Sequence, residues 1–409
     1  MTLRYTFALL VASLLSVTGL AALVYTLQEG LSVWGINNRI SWGFAIVNFV
    51  FWIGIAHAGT LISGILYLLN QKWRKEYNRM AELMTLISVI IAATFPIIHT
   101  GRPWFALYWL LPYYNKMSLL PNFKSPLTWD IVAIFSYFVI SLIFFYIGIM
   151  PDLSLLKSKN KSKWLNKLYK HLSFAWNGTK AQWEAHRTIY LLIAGLVTPL
   201  VISVHSIVSF DFYVTNVASW HTAILPPYFV VGAVFSGLAM VNVISLIYNY
   251  LCGTLDSISQ SGLDKINKLI LFASLVVGFV YLIEFSTMYV ENEWKTAFYP
   301  LTNGGIYVYL MLIFNVLAPI LLFFKVIRRG KLTTFIISLL ILIGMWLERY
   351  IIFISGQELY TNNVENSLFS PTLIDWLLLA GGFGIFFLVF LLSARFIPMY
   401  SIYERSFDD

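Results

Sequence analysis

The chain has 409 residues, of which 59% are hydrophobic and only 11% are charged. Because soluble globular proteins average roughly 25% charged residues, this composition excludes an ordinary soluble domain and predicts an integral membrane protein. The formal net charge is +8, but the basic residues are not interleaved with aromatic residues as in a nucleic-acid-binding module, so we expect no nucleic-acid partner.

Ten apolar segments are long enough to cross a bilayer as α-helices, each of which needs about 20 residues. The first segment has no convincing cleavage site after it, so we expect a membrane helix rather than a removed signal peptide. We therefore predict an all-α fold with one polytopic membrane domain over residues 1–409. The segments lie at about 5–27, 43–69, 80–100, 129–150, 187–209, 225–250, 268–290, 304–327, 333–354 and 372–396.

The distribution of Lys and Arg predicts the orientation of these helices. Most of the 27 Lys and Arg residues fall at one set of helix ends and loops, including a basic loop at about 151–186. We expect this face, and both termini, to be cytoplasmic. The chain is then predicted to be a multi-pass protein of a bacterial inner membrane, with its other face toward the periplasm.

Ionisable side chains within the apolar segments cluster near the predicted periplasmic face. Charged groups are expensive in hydrocarbon, so each of them is a candidate functional residue. The cytoplasmic half carries few such groups, among them Glu82. We therefore predict one polar pocket that opens toward the periplasm. Its members are His99, Arg102, Asp130, His205, Asp211, Glu284, Glu348 and Arg349, with His57 near the middle of the second helix.

Several of these residues also have an ordinary structural interpretation. His57 can form a hydrogen bond to a neighbouring helix, and Asp130 can lie near a helix N-terminus, where the helix dipole favours an acid. Glu284 and the Glu348–Arg349 pair can form ion pairs between the seventh and ninth helices. Both interpretations, structural and functional, stay open at this point.

The cysteine content limits the redox centres that the chain can hold. Cys252 is the single cysteine, so the sequence lacks both the C-x-x-C-H motif of covalent haem and the cysteine set of an iron–sulfur cluster. His99 and His205 are predicted at similar depth and could ligate haem b, but no second pair lies deeper to match them. We expect no cofactor held covalently or by metal ligands in this chain.

A periplasm-facing pocket of His, Asp, Glu and Arg suits quinol chemistry. A quinol enters its site from the lipid, and its oxidation releases two protons that need acceptors near the hydroxyl groups. Histidine is suited because its proton affinity lies near neutrality. A carboxylate can fix the histidine tautomer or accept the proton itself. Since the chain has no redox centre of its own, we expect a partner subunit to receive the electrons.

Long stretches of the sequence carry a resemblance to a known family. The first is Trp34-Gly35-Ile36-Asn37-Asn38, and it is followed by several longer ones. In these stretches the chain resembles the NrfD/PsrC-type membrane subunits, most closely the ActC-type quinol-binding subunit of alternative complex III. The longer stretches are NFVFWIGIAHAGTLISGILYLLNQKWR (48–74), FPIIHTGRPW (95–104), SPLTWDIVAIFSYF (125–138), GLVTPLVISVHSIVSFDF (195–212), WHTAILPPYFVVGAVFSGLAM (220–240), GMWLERYIIF (344–353) and SPTLIDWLLLAGGFGIFFLVFLL (370–392).

The resemblance implies two four-helix bundles, helices two to five at about 43–209 and helices six to nine at about 225–354, flanked by the first and tenth helices. It also implies a quinol site in the first bundle near the periplasmic face. We predict His99, Asp130 and Asp211 as catalytic residues, and these three match family site positions together with His57. The further predicted quinol-binding residues are His57, Arg102, His205 and Arg349, and the proton-path candidates are Glu284, Glu348 and Glu82.

The same resemblance implies the substrate and the partners. Menaquinone or ubiquinone would be the substrate, and the partners would be a periplasm-facing iron–sulfur subunit, a second homologous NrfD-type membrane subunit and multihaem cytochrome c subunits. The predicted function is quinol oxidation with electrons passed to the iron–sulfur partner, together with the proton translocation proposed for the family. Two alternatives stay open: the membrane anchor of a periplasmic molybdopterin oxidoreductase of the polysulfide reductase type, and a transporter. Residues 356–360, expected as an exterior loop, depart from the family's usual His-containing stretch.

Overall fold

The computed structural model describes residues 2–38, 40–105, 126–156, 163–174, 176–215, 217, 220, 224–290, 305–360 and 369–402. In this part of the chain every regular element is helical, and ten helices are long and apolar enough to cross a membrane. The predicted all-α fold with ten membrane helices is confirmed, and the protein is a multi-pass membrane protein.

Twelve helices follow one another along the described chain, and two of them, α5 and α10, are short helices outside the ten membrane helices. In chain order they are α1 (Leu3–Glu29), α2 (Phe44–Leu68), α3 (Asn78–His99), α4 (Pro126–Leu156), α5 (Lys163–Leu172), α6 (Lys180–Tyr213), α7 (Leu225–Cys252), α8 (Gln260–Val290), α9 (Ile306–Phe323), α10 (Lys325–Arg329), α11 (Lys331–Glu358) and α12 (Leu373–Ser393).

Two membrane helices contain a wider, π-helical turn. The π turn of α9 is Ile313–Leu317, and that of α11 is Ile351–Ser355. Beyond the π turn the chain stays helical over Gly356–Tyr360, two residues past the end given for α11. The expectation of an exterior loop at this segment is therefore wrong, because the chain keeps its helical hydrogen bonding past the apolar stretch.

Capping extends several helices beyond the predicted apolar segments. The hydroxyl of Thr179 accepts a hydrogen bond from the backbone N–H of Gln182 at 3.3 Å, and the Gln182 side chain accepts one from the backbone N–H of Thr179 at 3.4 Å. This capping box starts α6 at Lys180 rather than at about 187. The described part of the predicted basic loop therefore consists of the end of α4, the helix α5 and the start of α6.

The membrane helices pack as two neighbouring groups of four. In the first group, α2 and α4 each contact α3 and α6; in the second group, α7 contacts α8 and α11, and α9 contacts the same two helices. Contacts between α2 and α7 join the groups, while α1 packs along α12. The most apolar stretch of α2 is 94% buried, against 28% for α1. The helix that carries His57 is therefore an interior helix, whereas α1 turns most of its surface outward.

Glycine permits close contact at two helix crossings. A Cβ atom at Gly237 in α7 would overlap Ala58 in α2, and a Cβ atom at Gly381 in α12 would overlap the backbone of Gly19 in α1. At the second crossing the glycines of α12, Gly381 and Gly384, let the backbone of α1 approach closely. The first crossing holds the second group against α2 beside His57.

Candidate functional site

Two histidines on neighbouring helices face each other inside the first group. Nδ1 of His57 in α2 and Nδ1 of His205 in α6 are 2.8 Å apart, and both side chains are fully buried. A neutral imidazole has one donor and one acceptor, so one ring supplies the proton of this hydrogen bond. By helical rise, His205 lies about 12 Å below the C-terminal end of α6. We call these two residues the histidine pair.

Hydroxyl groups hold three helices together beside the histidine pair. The ring of Tyr137 in α4 lies 4.6 Å from the ring of His57, measured between centroids. The Tyr137 hydroxyl donates to the carbonyl of Ala56 at 2.9 Å and also contacts the hydroxyl of Thr60. Thr85 in α3 donates to the same carbonyl at 2.8 Å. These bonds fix the position of α2 around His57.

Two aspartates form a second pair of like groups, nearer the end of α6. Asp130 in the first turns of α4 and Asp211 in the last turn of α6 are both buried, and their carboxyl groups lie close enough to form a hydrogen bond to each other. Because ionised carboxylates only accept hydrogen bonds, this contact needs one shared proton. Oδ1 of each residue has no hydrogen-bond partner among the described residues. We call these two residues the aspartate pair, and the Oδ1 atom of each is available to a ligand.

His99 ends α3 and is enclosed by two indole rings. Its ring centroid lies 5.9 Å from that of Trp34 and 5.9 Å from that of Trp42. Trp42 also contacts Phe212 at 6.0 Å, and Phe212 directly follows Asp211 in α6. Nδ1 of His99 is buried without a hydrogen-bond partner among the described residues. One indole thus connects His99 to the segment that carries the aspartate pair.

The second group contains a buried acid that is compensated by a cation. Glu348 in α11 is paired with the guanidinium of Arg349 and accepts a hydrogen bond from the hydroxyl of Tyr281 in α8. Asn315, in the π turn of α9, donates to the same hydroxyl at 3.0 Å. Both charged side chains are almost completely buried. We call these four residues the compensated cluster.

Arg349 extends from the compensated cluster toward the first group. Its guanidinium lies 4.6 Å from the ring centroid of Phe229, which in turn lies 5.9 Å from the ring of His205. Glu284 is partly buried on α8 and close enough to Glu348 for the two carboxyl groups to interact electrostatically. One aromatic ring therefore separates the positive charge of the second group from the histidine pair.

Two of the predicted site residues lie apart from these clusters. Glu82 is buried near the start of α3 and accepts a hydrogen bond from the hydroxyl of Tyr190 at 2.9 Å. About 25 Å of helix separates Glu82 from His99, so Glu82 does not belong to the same pocket. Arg102 is exposed just beyond the end of α3.

The structure changes two of the predicted groupings. His57 does form a hydrogen bond between helices, and its partner is His205, so the structure pairs His205 with His57, while His99 lies between Trp34 and Trp42. The expected ion pairs between the seventh and ninth membrane helices are wrong, because Glu348 pairs with the adjacent Arg349 and meets α8 through the hydroxyl of Tyr281.

Aromatic and amide side chains around the site could not be found from the sequence. The aromatic residues that contact a predicted site residue include Trp34, Trp42, Tyr137 and Tyr281. With 17% of the chain aromatic, such residues are too frequent to be singled out without coordinates. Gln357 is a further example, since its side chain bonds both the N–H and the carbonyl of Trp42, at 3.2 and 2.9 Å.

The described residues contain no group of three or more His, Cys, Asp or Glu side chains arranged to hold a metal ion. Cys252 lies at the end of α7, on the opposite side of the bilayer from the aspartate pair by helix order. The histidine pair and the aspartate pair offer proton transfer by imidazole and carboxyl groups beside aromatic surfaces.

Known proteins of similar sequence are membrane subunits of oxidoreductases. A selenate reductase subunit from Mesobacillus selenatarsenatis is 23% identical over 96% of this chain and 93% of its own length. The Hdr-like menaquinol oxidoreductase integral membrane subunit of Archaeoglobus fulgidus is 23% identical over 98% of this chain and 95% of its own length. A Halobacterium salinarum protein, provisionally named as a membrane subunit of dimethyl sulfoxide reductase, is 26% identical over 58% of this chain, and the match spans 50% of that relative.

A family model also matches the chain. The model described as polysulphide reductase, NrfD, matches residues 32–360, a range that includes every predicted site residue. The match covers most of the chain and agrees with the motifs that carry the resemblance. The chain belongs to the NrfD family.

Proposed function

We propose that this chain is the quinol-oxidising membrane subunit of a respiratory complex of the alternative complex III type. The aspartate pair is the observation that carries the proposal. It combines two buried carboxyl groups that lie close together with an unpartnered oxygen on each residue, near the end of the first group where a quinol can enter from lipid. The menaquinol oxidoreductase named among the relatives supports the substrate class.

The proton balance of the reaction matches this arrangement. Oxidation of one quinol to quinone releases two electrons and two protons. The aspartate pair, which already shares one proton, has room for one more, and His99 beside Trp42 provides a second acceptor. The imidazole and carboxyl groups here act as general bases toward the two quinol hydroxyls. The protons leave toward the face at which α6 ends.

The two electrons of the quinol leave the chain for a partner subunit. In this proposal they pass to an iron–sulfur subunit docked at the ends of α4 and α6. His57, His205, Arg102 and Arg349 complete the quinol surroundings in the proposal. Coupling to proton translocation would use Glu284 and Glu82, whereas the pairing of Glu348 with Arg349 gives that acid a fixed electrostatic role.

A second function has support from the names of two relatives. Dimethyl sulfoxide reductase and selenate reductase subunits suggest the quinone-interacting membrane anchor of a molybdopterin oxidoreductase. The proton chemistry at the quinol site would be the same in both complexes, and only the redox partner subunit would differ. A transporter has less support, because α3 and α6 run through Pro96 and Pro199 as continuous helices, whereas transporters use paired broken helices near the midplane.

The test uses the chain purified with its native partners and a quinol as reductant. Visible spectra before and after quinol addition report electron transfer into the partners. We expect Asp130→Asn and His99→Ala each to slow this reduction by about 10² or more, the usual contribution of a general base. The exposed Asp256, on the other side of the membrane by helix order, provides the matched control Asp256→Asn, which should leave the rate unchanged.

The partner spectrum decides between the two functions. Reduction of c-type haem supports the alternative complex III type, whereas a haem-free preparation that contains molybdopterin supports the reductase anchor. Near-normal turnover in both Asp130→Asn and His99→Ala would contradict the proposed site in either complex.

A further inference from the structure

A cavity of about 290 Å³ lies at the end of the first group that is remote from the aspartate pair. Its walls come from the C-terminal ends of α2 and α4, the starts of α3 and α6, and the segment Lys72–Glu76 between α2 and α3. We call this membrane face, which also carries α5 and α10, the basic face. No residue of the proposed quinol site lines the cavity, so it needs a separate explanation.

The cavity wall is strongly cationic. Arg74, Lys75, Arg79 and Arg187 all line it, and none of the described lining residues is acidic. Behind the wall, the buried carboxylate of Asp152 forms a 2.9 Å ion pair with Arg79. Glu82, buried beside the lining residue Tyr190, is a second acid behind the wall, and these two acids do not offset the four cations, so the described lining carries a net positive charge. Such a cavity selects an anion.

The deepest cation has an unused donor. Arg79 is only 5% exposed, and its Nη2 donates to Asp152 and to the carbonyl of Gly148 at 3.0 Å. Its Nη1 has no hydrogen-bond partner among the described residues. A buried donor without an acceptor is unfavourable, and an anionic oxygen in the cavity would satisfy it with a charge-assisted hydrogen bond.

Aromatic side chains place the cavity at the depth of lipid headgroups. Tyr67 and Trp183 line it, and the guanidinium of Arg74 lies 4.7 Å from the ring centroid of Tyr67. On the same face, α5 is amphipathic and basic, with Trp164 68% exposed. Interfacial tryptophans and basic amphipathic helices are typical of the boundary between headgroups and acyl chains.

We propose that this cavity binds the phosphate group of an anionic phospholipid from the leaflet at the basic face. The phosphate lies between Arg74, Arg79 and Arg187, and the glycerol and upper acyl chains pack on Trp183. Basic pockets between membrane helices are known to take such headgroups. The chemistry recognised is an anionic phosphate group with no cation attached to it, and a free phosphate ion is the alternative source of such a group.

Native mass spectrometry of the purified complex tests this proposal, with phosphatidylglycerol, phosphatidylcholine and inorganic phosphate as separate probes. We expect phosphatidylglycerol to stay bound at a defined stoichiometry while phosphatidylcholine does not. The variant Arg187→Gln removes an exposed cation at the cavity mouth without disturbing the core, and should lower phosphatidylglycerol affinity about fivefold. The double variant Arg74→Gln/Arg187→Gln should lower the affinity for phosphatidylglycerol about twentyfold.

The matched controls remove equal charge from the same face outside the cavity. Lys167→Gln, alone and with Lys170→Gln, changes α5 and should leave the defined lipid bound. Equal losses in cavity and control variants would overturn the proposal, because they would indicate general attraction to the leaflet. Tight binding of inorganic phosphate without preference for phosphatidylglycerol would overturn the lipid assignment. The readout is lipid mass, so it does not depend on quinol turnover.

Discussion

The two helix groups hold their buried ionisable residues in opposite ways. Around the proposed site the first group pairs like with like, His57 with His205 and Asp130 with Asp211, whereas its buried ion pair Arg79–Asp152 lies at the remote end. The second group pairs the buried acid Glu348 with the cation Arg349 and adds neutral donors. The helices of the two groups are similarly apolar. The two kinds of pairing therefore differ because of the side chains that face each other, not because of a difference in the surrounding helices.

This difference bears on which group can exchange protons. A pair of like groups that shares one proton can gain another without leaving an opposite charge unpaired. Protonation of Glu348 would instead leave Arg349 buried without its counter-charge, which is strongly unfavourable. We therefore assign proton exchange to the first group and a fixed electrostatic role to the compensated cluster, whose cation faces His205 through Phe229.

The largest effect is expected from the aspartate pair. Asp211→Asn keeps the shape and removes a proton acceptor, so quinol-driven reduction of the partners should fall about 10²–10⁴-fold. Glu348→Gln, the matching change in the second group, should reduce the rate less than about tenfold if its role is electrostatic. Stopped-flow spectroscopy of both purified variants measures the contrast. Equal losses in the two variants would remove the distinction between the groups.

The second prediction concerns stability in the compensated cluster. Arg349→Met leaves Glu348 buried without its cation and should lower the free energy of unfolding by about 3–5 kcal/mol. The double variant with Glu348→Gln removes both charges and should recover most of this loss. Denaturation in mixed detergent micelles measures both. A double variant less stable than Arg349→Met alone would show that the ion pair is not the source of the effect.

The third prediction addresses the histidine pair. His57→Gln removes the ring partner of His205 and should slow quinol turnover about tenfold, at the low end of a general acid–base contribution, because the pair lies below the proposed quinol position. The exposed His171 on α5 provides the control His171→Gln, which should turn over normally. Unchanged turnover in His57→Gln would limit the pair to helix packing.

Much of the fold could be predicted from the sequence because membrane crossing depends on local composition. The length of the apolar segments predicted the ten membrane helices. Because successive membrane helices run in opposite directions, the start of α4 and the ends of α3 and α6 were predicted at one face. Asp130 and Asp211 could thus be assigned to the same depth before any contact was known. The helix bounds were less accurate, since caps such as Thr179 lie outside the apolar segments.

The pairing of residues could not be predicted from depth alone. His57 and His205 are 148 positions apart, and their contact depends on how α2 and α6 are rotated about their axes. His99 has a similar chemistry but points between Trp34 and Trp42. Rotation is set by many packing contacts, including Gly237 against Ala58, and no single motif encodes it.

The smallest effect is expected at Tyr137, which supports the histidine pair without exchanging its proton. Tyr137→Phe removes the bond to the Ala56 carbonyl, but Thr85 continues to donate to that oxygen. The loss of unfolding free energy should therefore stay near 1 kcal/mol, roughly the typical net value of one hydrogen bond. The exposed Tyr289 on α8 gives the control Tyr289→Phe, expected to change stability by less than about 0.5 kcal/mol. Quinol turnover should stay normal in Tyr137→Phe and in Tyr289→Phe, because Tyr137 only fixes the position of the histidine pair. A turnover loss in Tyr137→Phe as large as that in His57→Gln would show that the Tyr137 hydroxyl is part of the proton route.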